Sequence, residues 1–360
     1  MPKILSVSSH KPAYKVNQED TAALTRKLFQ HDFNEIDRLM NVFQNGEIKT
    51  RHFCVPLEWF EQPHDFEERN ELYIKLATQL GQEAIIACLK NRTFLEDDIS
   101  CEDIDAILFV SSSGISTPSV DARIMNKLPF KDTLKRIPIW GLGCAGGAAG
   151  LSRAYDYCLA HPSAKVLVLC VELCSLTFQH GDRSKSNLIG ASLFADGVAC
   201  ALVAGDQSDI RTKKPVPDII STASKWMPDS EDVMGWEVKN SGLHVVFSKD
   251  IPSIIGGWLG PFVQQFLSDQ HINTESISHF VAHPGGKKVL RAYEKAMNYS
   301  TEKTSHSREV LIQNGNMSSP TVLYVLEEFM KTGECAPGEY GLMTALGPGF
   351  SGELLLLKWG

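Results

Sequence analysis

Three side chains that could carry out acyl-transfer chemistry occur where a predicted strand or helix meets small residues: Cys144, His283 and Asn316. The residue Cys144 lies in the glycine-rich stretch 141–150, directly after the apolar run 137–140. That run indicates a buried strand, and the small residues after Cys144 indicate a closely packed helix start. We therefore expect the thiol near the positive end of a helix dipole, which favours the thiolate. Taken alone, Cys144 is equally compatible with a structural cysteine beside a packing motif.

The other two residues are ambiguous singly and informative together. His283 follows the apolar segment 279–282 and precedes Pro284-Gly285-Gly286, which turns the chain sharply and exposes the ring. Asn316 precedes a predicted helix, where capping is an ordinary role for asparagine. A histidine beside a cysteine can stabilise the thiolate, and histidine and amide N–H groups aimed at one point can stabilise an oxyanion. The set suits acyl transfer followed by carbon–carbon bond formation, and equally a papain-like hydrolase.

Apolar runs and helical periods alternate along the chain, which predicts an α/β fold. The predicted helices cover residues 19–30, 33–43, 68–90, 146–160, 252–267, 287–297 and 318–331. The predicted strands cover 105–110, 137–140, 165–171, 197–203 and 279–282, with two more around 347–349. The polar, proline-bearing segment 207–217 predicts a seam between two similar halves, 1–213 carrying Cys144 and 214–360 carrying His283 and Asn316.

Composition excludes several classes of protein. The net charge of -8 over 360 residues argues against sequence-independent binding to nucleic acid. Nine scattered cysteines without a close Cys-x-x-Cys pair argue against a zinc site and predict reduced thiols in a cytoplasmic protein. The first residues lack the features of a signal peptide, and no apolar run has the length of a membrane span, so we expect no integral membrane segment.

Five motifs in order give a resemblance to a known family. They are Gly143-Cys144-Ala145-Gly146-Gly147, Ser192-Leu193-Phe194-Ala195-Asp196-Gly197, Ala282-His283-Pro284-Gly285-Gly286, Gly315-Asn316-Met317-Ser318-Ser319 and Leu346-Gly347-Pro348-Gly349-Phe350. With these motifs the chain resembles type III polyketide synthases, the chalcone-synthase-like branch of the thiolase superfamily, along nearly its whole length. The resemblance implies a five-layered αβαβα fold of two similar halves, a homodimer, an acyl-CoA starter, malonyl-CoA as extender, and neither cofactor nor metal.

The resemblance also implies roles for individual residues. Cys144 would accept the starter acyl group and hold the growing chain, while His283 and Asn316 would promote decarboxylation of malonyl-CoA and steady the enolate. Phe194 would be the gatekeeper between the CoA tunnel and the reaction chamber, although it is also compatible with a core aromatic beside a turn. The expected chamber and cyclisation residues are Ser112, Ser113, Thr177, Ser318, Gly347, Pro348 and Gly349. The expected CoA phosphate ligands are Lys49, Arg51 and Lys288, assisted by Lys287.

Some positions depart from the plant members of this family. Thr117 stands where the plant enzymes carry a methionine that reaches the partner's cavity, and Cys174 replaces a cavity threonine. The segment 234–237 also differs from the plant cyclisation pocket. The chain is closer to bacillus-like bacterial members, whose products are alkylpyrones or alkylresorcinol-type compounds made from fatty acyl-CoA starters, and we predict the same here.

Three alternatives remain. An initiating β-ketoacyl synthase shares the Cys-His-Asn set but performs one condensation and takes malonyl from an acyl carrier protein. Its sequence would not need Phe194 or the Gly347-Pro348-Gly349 loop. A hydroxymethylglutaryl-CoA synthase would need a catalytic glutamate early in the chain, and the sequence offers no convincing motif for one. A catalytically silent partner subunit would have lost the nucleophile, whereas Cys144 is intact.

Overall fold

Strands and helices alternate through the chain, as the sequence predicts. The computed structural model describes residues 1–30, 33 and 35–360. The strands are β1 Lys3–His10, β2 Tyr14–Asn17, β3 Thr50–Phe53, β4 Ala106–Val110, β5 Lys135–Ile139, β6 Lys165–Leu173, β7 Asp196–Ala204, β8 Pro217–Trp226, β9 Met234–Lys239, β10 Gly242–Phe247, β11 Ile277–Ala282, β12 Tyr340–Gly347 and β13 Ser351–Trp359. The helices are α1 Gln18–Phe29, α2 Ile36–Asn45, α3 Phe66–Leu89, α4 Val120–Met125, α5 Gly146–Ala160, α6 Lys185–Leu193, α7 Ile251–Asp269, α8 Lys287–Met297, α9 Ser305–Asn314 and α10 Thr321–Thr332.

The main sheet repeats one pairing pattern. Its strand order is β11-β12-β13-β8-β1-β7-β6-β4-β5. In the first half β1 is antiparallel to β7, β7 is antiparallel to β6, and β6 is parallel to β4. In the second half β8, β13, β12 and β11 repeat that series of antiparallel, antiparallel and parallel pairs. The two blocks meet where Lys3 pairs with Asp218, so the chain has two similar halves joined edge to edge.

Helices cover both faces of both blocks and so create five layers. Helix α5 packs against β4, β6 and β7 of the first block and against β12 and β13 of the second. Helix α10 lies in the same central layer, against β1, β7 and β11. On the outer faces, α3 packs on β1, β6 and β7, while α7 and α8 share a core with β11 to β13. Strands β4 and β7 are buried throughout because both of their faces are covered. The expected αβαβα thiolase-like fold is confirmed.

Most predicted elements are confirmed within a few residues, and three predictions need correction. The run 137–140 is not a buried strand, because β5 lies at the edge of the sheet and is partly exposed. Helix α2 begins at Ile36 rather than at residue 33; residue 34 of that prediction lies outside the described residues. Helix α10 begins at Thr321 rather than at residue 318, and Pro320 precedes it at the cap position.

A separate hairpin covers the centre of the molecule. Strands β9 and β10 pair only with each other in a two-stranded sheet. The Gln179 side-chain amide donates to Leu243 O at 2.9 Å, and Arg69 donates to Ser241 O. These contacts hold the hairpin against the first half of the chain, so its inner face is fixed over the residues described next.

Within the described part of the chain, no helix is long and apolar enough to cross a membrane. The same residues contain no group of three or more His, Cys, Asp or Glu side chains that could hold a metal ion. All nine cysteines are free thiols and all are buried. The division of the chain at residues 213 and 214 stays a prediction; it falls in the connection between β7 and β8.

Candidate active site

The backbone around Cys144 is shaped by two glycines. Cys144 lies in the single 3-10 turn Gly143–Ala145, immediately before α5. Gly143 has a φ of +46°, and a Cβ there would lie 2.8 Å from Pro348 Cδ. A Cβ on Gly347 would lie 2.3 Å from Leu142 O. Glycine at both positions therefore lets the segment 347–349 cross directly over the turn that carries the thiol.

Burial dominates the chemistry of the Cys144 thiol. The residue is only 8% exposed, and its Sγ lies 3.8 Å from Asn316 Oδ1, to which the thiol donates. Burial raises the pKa of Cys144 to about 11, although hydrogen bonds with the Ser318 and Asn316 side chains act to lower it. Loss of hydration thus acts against the helix dipole, and the thiolate expected at Cys144 stays a prediction.

His283 is buried and its ring nitrogens are unsatisfied. It follows β11, and its backbone N–H donates to Thr344 O at 2.9 Å. Neither Nδ1 nor Nε2 has a hydrogen-bond partner among the described residues. Burial lowers the pKa of His283 to about 3, so the neutral imidazole is favoured. A neutral His283 offers one N–H donor and one lone pair to whatever enters, while the thiolate–imidazolium pair stays a prediction.

Asn316 connects the cysteine and histidine segments. Its Oδ1 accepts from Ser318 N at 2.8 Å as well as from the Cys144 thiol. Its Nδ2 donates to Gly285 O at 3.2 Å, and Gly285 N donates back to His283 O. Because α10 begins only at Thr321, the capping role expected as an alternative for Asn316 is not observed. Ser318 has a φ of +60°, the left-handed conformation that allows its backbone N–H to face Asn316.

Phe194 stands between two cavities. Its ring centroid is 6.0 Å from that of Trp236 and 6.3 Å from that of Phe247. The catalytic cavity has about 350 Å³ of empty space, part of it open to solvent, and is lined by Cys144, Phe194, Trp236, Phe247, Ser318 and Pro348, among others. The second cavity, which we call the apolar chamber, has about 560 Å³ of empty space, also partly open to solvent, and is lined by Leu24, Leu57, Phe60, Phe178, Phe194 and Val245, among others. Phe194 and Val245 belong to both walls and so lie between the two cavities. The expected role of Phe194 as gatekeeper at the CoA tunnel stays a prediction.

The two serines expected to line the chamber, Ser112 and Ser113, support the backbone, and their lining role stays a prediction. Ser112 Oγ accepts from Gly143 N at 3.2 Å, and Ser113 Oγ accepts from Leu173 N at 2.8 Å. Their backbone N–H groups both donate to the carboxylate of Glu172, at 3.0 Å to Oε2. Both hydroxyls therefore bond protein backbone: Ser112 holds the turn before Cys144, and Ser113 holds the end of β6.

Glu172 is a residue that sequence reasoning missed. It lies fully buried within β6, and its Oε1 also accepts from Ser319 Oγ at 2.9 Å. Burial raises the pKa of Glu172 to about 7 against the lowering effect of these hydrogen bonds. Its signal in the sequence is a carboxylate inside an otherwise apolar strand, which is expensive unless donors surround it.

Of the remaining predicted cavity residues, Thr177 and Pro348 line one cavity each, and Gly349 lines neither. Thr177 lies in the wall of the apolar chamber, and its hydroxyl donates to Cys174 O at 2.7 Å. Pro348 lines the catalytic cavity, whereas Gly349 turns its carbonyl outward to accept from Trp226 Nε1 at 3.1 Å.

Arg51 does not lie where a CoA phosphate could reach it. It is fully buried in β3, where its Nη1 donates to Ala191 O at 2.8 Å and to Phe194 O at 2.7 Å. Its Nη2 donates to the side chain of Gln18. Burial lowers the pKa of Arg51 to about 9, with Asp196 acting in the opposite direction. The predicted contact with CoA is therefore wrong, and Arg51 instead fixes the backbone of the gatekeeper.

The other cations expected at the CoA tunnel are at the surface. Lys49 and Lys288 are exposed. Lys287 is paired with Glu47 at 2.7 Å, and Glu47 also meets Arg308 at 2.8 Å. Burial acts to raise the pKa of Glu47, but the hydrogen bonds from Lys287 and Arg308 lower it overall. Lys287 is thus already neutralised, which leaves Lys49 and Lys288 as the cations of the predicted set that face solvent.

A buried thiol bonded to an asparagine whose amide also holds the histidine segment, on two repeated halves of an αβαβα fold, is the arrangement of a thiolase-like condensing enzyme. Residues 3–207 match the model of the chalcone and stilbene synthase N-terminal domain, and residues 218–359 match that of the C-terminal domain. The chain therefore belongs to the chalcone and stilbene synthase family, the type III polyketide synthases, which are acyltransferases acting by decarboxylative condensation of CoA thioesters.

Relatives of known name agree with this membership. The chain is 50% identical over 361 residues to a candidate chalcone synthase of Bacillus subtilis (strain 168), covering 100% of this chain and 99% of that one. It is 28% identical to the alpha-pyrone synthesis polyketide synthase-like Pks18 of Mycobacterium tuberculosis, covering 96% and 88%. The crystal structure of 1,3,6,8-tetrahydroxynaphthalene synthase from Streptomyces coelicolor A3(2), a bacterial type III polyketide synthase, superimposes with a TM-score of 0.90 at 28% identity, covering 99% of each chain.

Proposed function

We propose that this polyketide synthase loads a fatty acyl-CoA starter on Cys144, extends it with malonyl-CoA and closes the chain to an alkylpyrone or alkylresorcinol-type product. The observation that carries the proposal is the apolar chamber beside the catalytic cavity, separated from it by Phe194 and Val245. The relatives named above make different products, so the choice of starter rests on the chamber rather than on family membership.

The first step is acyl transfer to sulfur. The Cys144 thiol gives its proton to a ring nitrogen of His283 as the sulfur attacks the thioester carbonyl. The bond between the carbonyl carbon and the CoA sulfur then breaks, and the proton returns to the departing CoA thiolate. Transient charge separation of this kind is consistent with a thiol and an imidazole that both favour their neutral forms at rest.

The second step is decarboxylative extension. Malonyl-CoA loses carbon dioxide, and the electron pair of the broken carbon–carbon bond forms an enolate. A neutral imidazole N–H of His283 and one Nδ2–H of Asn316 donate to the enolate oxygen. The other Nδ2–H of Asn316 is already used on Gly285 O. The enolate carbon attacks the acyl carbonyl, and the bond to sulfur breaks, so Cys144 leaves as a thiolate and the chain leaves as a β-ketoacyl-CoA. The thiolate attacks this new thioester to reload the chain, or takes a proton from water to return to the thiol.

The chamber suits an alkyl tail. Its walls combine aliphatic side chains such as Leu24 and Leu57 with the aromatic rings of Phe60 and Phe178. Each methylene group moved from water into such a wall contributes about 0.8 kcal/mol. With the Phe194 ring turned aside, an extended alkyl chain would occupy this space while its carbonyl stays at Cys144. After extension, closure through an enol oxygen gives a pyrone, and closure through carbon gives a resorcinol-type ring.

We also infer that the protein is a homodimer, that each subunit consists of the two halves 1–213 and 214–360, and that it works in the cytoplasm. Among the described strands, β5 has no partner on its outer side, and the exposed side chains of Trp140 and Ile115 lie beside it. An unpaired edge with apolar neighbours favours pairing with the same surface of a second copy.

Nine buried thiols without a disulfide suit a reducing compartment. Lys49 and Lys288 remain the proposed phosphate ligands at the CoA entrance.

The test is a starter screen with the purified protein. Straight-chain acyl-CoA thioesters from butyryl- to stearoyl-CoA are incubated with radiolabelled malonyl-CoA, and organic-extractable products are identified by mass spectrometry. We expect pyrone or resorcinol products from long starters, and none from Cys144→Ala. Turnover restricted to short or aromatic starters would contradict the fatty-acyl assignment. Use of malonyl-acyl carrier protein with a single condensation would instead indicate an initiating β-ketoacyl synthase, and absence of decarboxylation and product would indicate a silent subunit.

A further inference from the structure

One face of α1 forms a wall of the apolar chamber. The side chains of Thr21, Leu24, Thr25 and Leu28 all line it. Their spacing of three and four residues places them along one stripe of the helix. Ala23, between them in sequence, is exposed on the other side. The chamber thus meets a continuous row of four side chains rather than an irregular loop.

The direction of α1 relative to the gatekeeper is set at both of its ends. At the first residue, Gln18 donates from Nε2 to Ser192 O at 3.0 Å and accepts from Arg51, which also donates to Phe194 O. At the last residue, the buried ring of Phe29 lies edge-on to Phe178, with centroids 6.2 Å apart. The helix therefore runs from the backbone of Phe194 towards Phe178.

This orientation orders the four lining residues by depth. Thr21 is nearest to the end tied to Phe194, and Leu28 is nearest to the end packed on Phe178. Seven residues of α-helix separate Thr21 from Leu28, which corresponds to about 10 Å along the axis. We propose that α1 is the gauge that selects the length of the starter's alkyl tail, with Thr21 contacting its proximal part and Leu28 its far end.

The wall is anchored firmly enough to act as a gauge. Gln18 and Phe29 are both buried, and Gln18 Nε2 also donates to Phe43 O at 3.3 Å. The ion pair between Lys27 and Glu61 is exposed and contributes little to this anchoring. Because both ends of the helix are held by buried contacts, a change of side-chain size inside the chamber alters the available length rather than the position of the wall.

The inference rests on the proposed use of fatty acyl starters, and a depth series of variants tests it. Thr21→Leu fills the part of the chamber nearest Phe194. Leu28→Trp fills the far part of the chamber, and Leu28→Ala enlarges that far part. Ala23→Trp, on the exposed side of the same helix, is the matched control. For each variant kcat/KM is measured across the same butyryl- to stearoyl-CoA series, and acylation of Cys144 is followed by mass spectrometry.

We expect Thr21→Leu to shift the preferred starter furthest towards short chains and Leu28→Trp to exclude only the longest. Leu28→Ala should extend the preference to longer chains. Each methylene excluded or admitted should change kcat/KM by about fourfold. Ala23→Trp should keep the wild-type profile. An unchanged profile in Leu28→Trp and Leu28→Ala, or a profile moved equally by Ala23→Trp, would overturn the gauge. Failure of the wild type to use any long starter would instead refute the proposed function.

Should Thr21→Leu fail to fold, as shown by its melting curve, the smaller replacement Thr21→Val provides the same comparison. The order of effects along the helix, proximal before distal, is the decisive result. If the larger side chains at residues 21 and 28 lowered kcat/KM equally for every chain length, selectivity would depend only on the total volume of the chamber. That result would also overturn the proposal.

Discussion

Asn316 and Phe194 are paired through their backbones: Asn316 N donates to Leu193 O at 2.9 Å, and Ala195 N donates to Asn316 O at 2.9 Å. The residue that contacts the nucleophile and the residue that divides the two cavities therefore move as one unit. The side chain of Asn316 is not part of this bridge. Its amide can be changed without releasing the gatekeeper, which makes its chemical role separable from its structural one.

Removal of the Asn316 amide should lower catalysis without unfolding the site. We expect Asn316→Ala to reduce kcat for malonyl-CoA decarboxylation by about two to three orders of magnitude, the usual effect of losing one oxyanion donor. The melting temperature should change little, because the backbone bridge remains. Decarboxylation at the wild-type rate would contradict the assigned role. Asn316→Asp keeps the shape of the side chain but adds a negative charge near Cys144, and should raise the pKa of that thiol further.

Alkylation of Cys144 should depend strongly on pH. Because burial raises the pKa of this thiol to about 11, the thiolate fraction at pH 7 is about one in ten thousand. The rate of modification by iodoacetamide, followed at Cys144 by peptide mass spectrometry, should rise about tenfold per pH unit through the neutral range. A rate that reaches a plateau near neutral pH would show that a thiolate–imidazolium pair forms at rest. Cys144→Ser supplies the background from the other buried thiols.

Glu172 should make stability fall as pH rises. Its pKa is raised from 4.5 to about 7 in the folded protein, so the folded state holds a proton that the unfolded state has released between these values. The stabilisation is fully present below pH 4.5 and is lost as pH rises through 7, a change of about 3 kcal/mol in the free energy of unfolding.

Glu172→Gln should remove that pH dependence. The glutamine oxygen can accept from the N–H groups of Ser112 and Ser113, while its NH2 faces Ser319 Oγ, which can accept as well as donate. Urea unfolding at pH 5 and pH 8 compares the variant with the wild type. Equal slopes against pH in both proteins would show that Glu172 is ionised throughout and would contradict the raised pKa.

The surface lysines and the buried arginine should behave differently towards CoA. Lys288→Ala, and likewise Lys49→Ala, should raise the KM for malonyl-CoA about threefold with kcat unchanged, and the effect should shrink with added salt.

Arg51→Met should chiefly lower the melting temperature, because it leaves the carbonyls of Ala191 and Phe194 without their donor. A large KM effect from Arg51→Met in a protein of wild-type stability would restore Arg51 as a CoA ligand.

Local pattern predicted the elements of this fold well and its contacts less well. The helix predicted at 287–297 has the same bounds as α8. Its amphipathic period is strong, and Gly286 marks its start at the N-cap position. The run 137–140 was expected to form a buried strand because its residues are apolar. Exposure depends on which strands lie beside it, and among the described strands β5 has a neighbour on one side only. That property comes from the order of strands, which distant segments decide.

In the candidate site, too, the sequence predicted which residues matter better than it predicted their contacts. The motifs indicated Cys144, His283 and Asn316, and the structure places Asn316 against Cys144 and links it to the histidine segment through Gly285. Sequence reasoning could not reveal that Arg51 is buried, since the residues that satisfy it are separated from it by 140 positions or more, apart from Gln18. Nor could it find the protonation states, because these follow from burial that only the assembled fold creates.

The unpaired edge of the sheet should hold the dimer together, and one tryptophan tests this. Trp140 is 52% exposed beside β5, and its Nε1 donates to Gly114 O at 3.2 Å. Trp226 is 62% exposed, and its Nε1 also donates to a backbone carbonyl, that of Gly349. Trp140→Glu adds a charge to the proposed interface and should convert the protein to a monomer in light scattering after gel filtration, because burying two unpaired carboxylates across a twofold axis is costly. Trp226→Glu removes an equally exposed indole away from β5 and should leave the dimer intact. A dimer that survives Trp140→Glu, or one lost through Trp226→Glu, would place the interface elsewhere on the molecule.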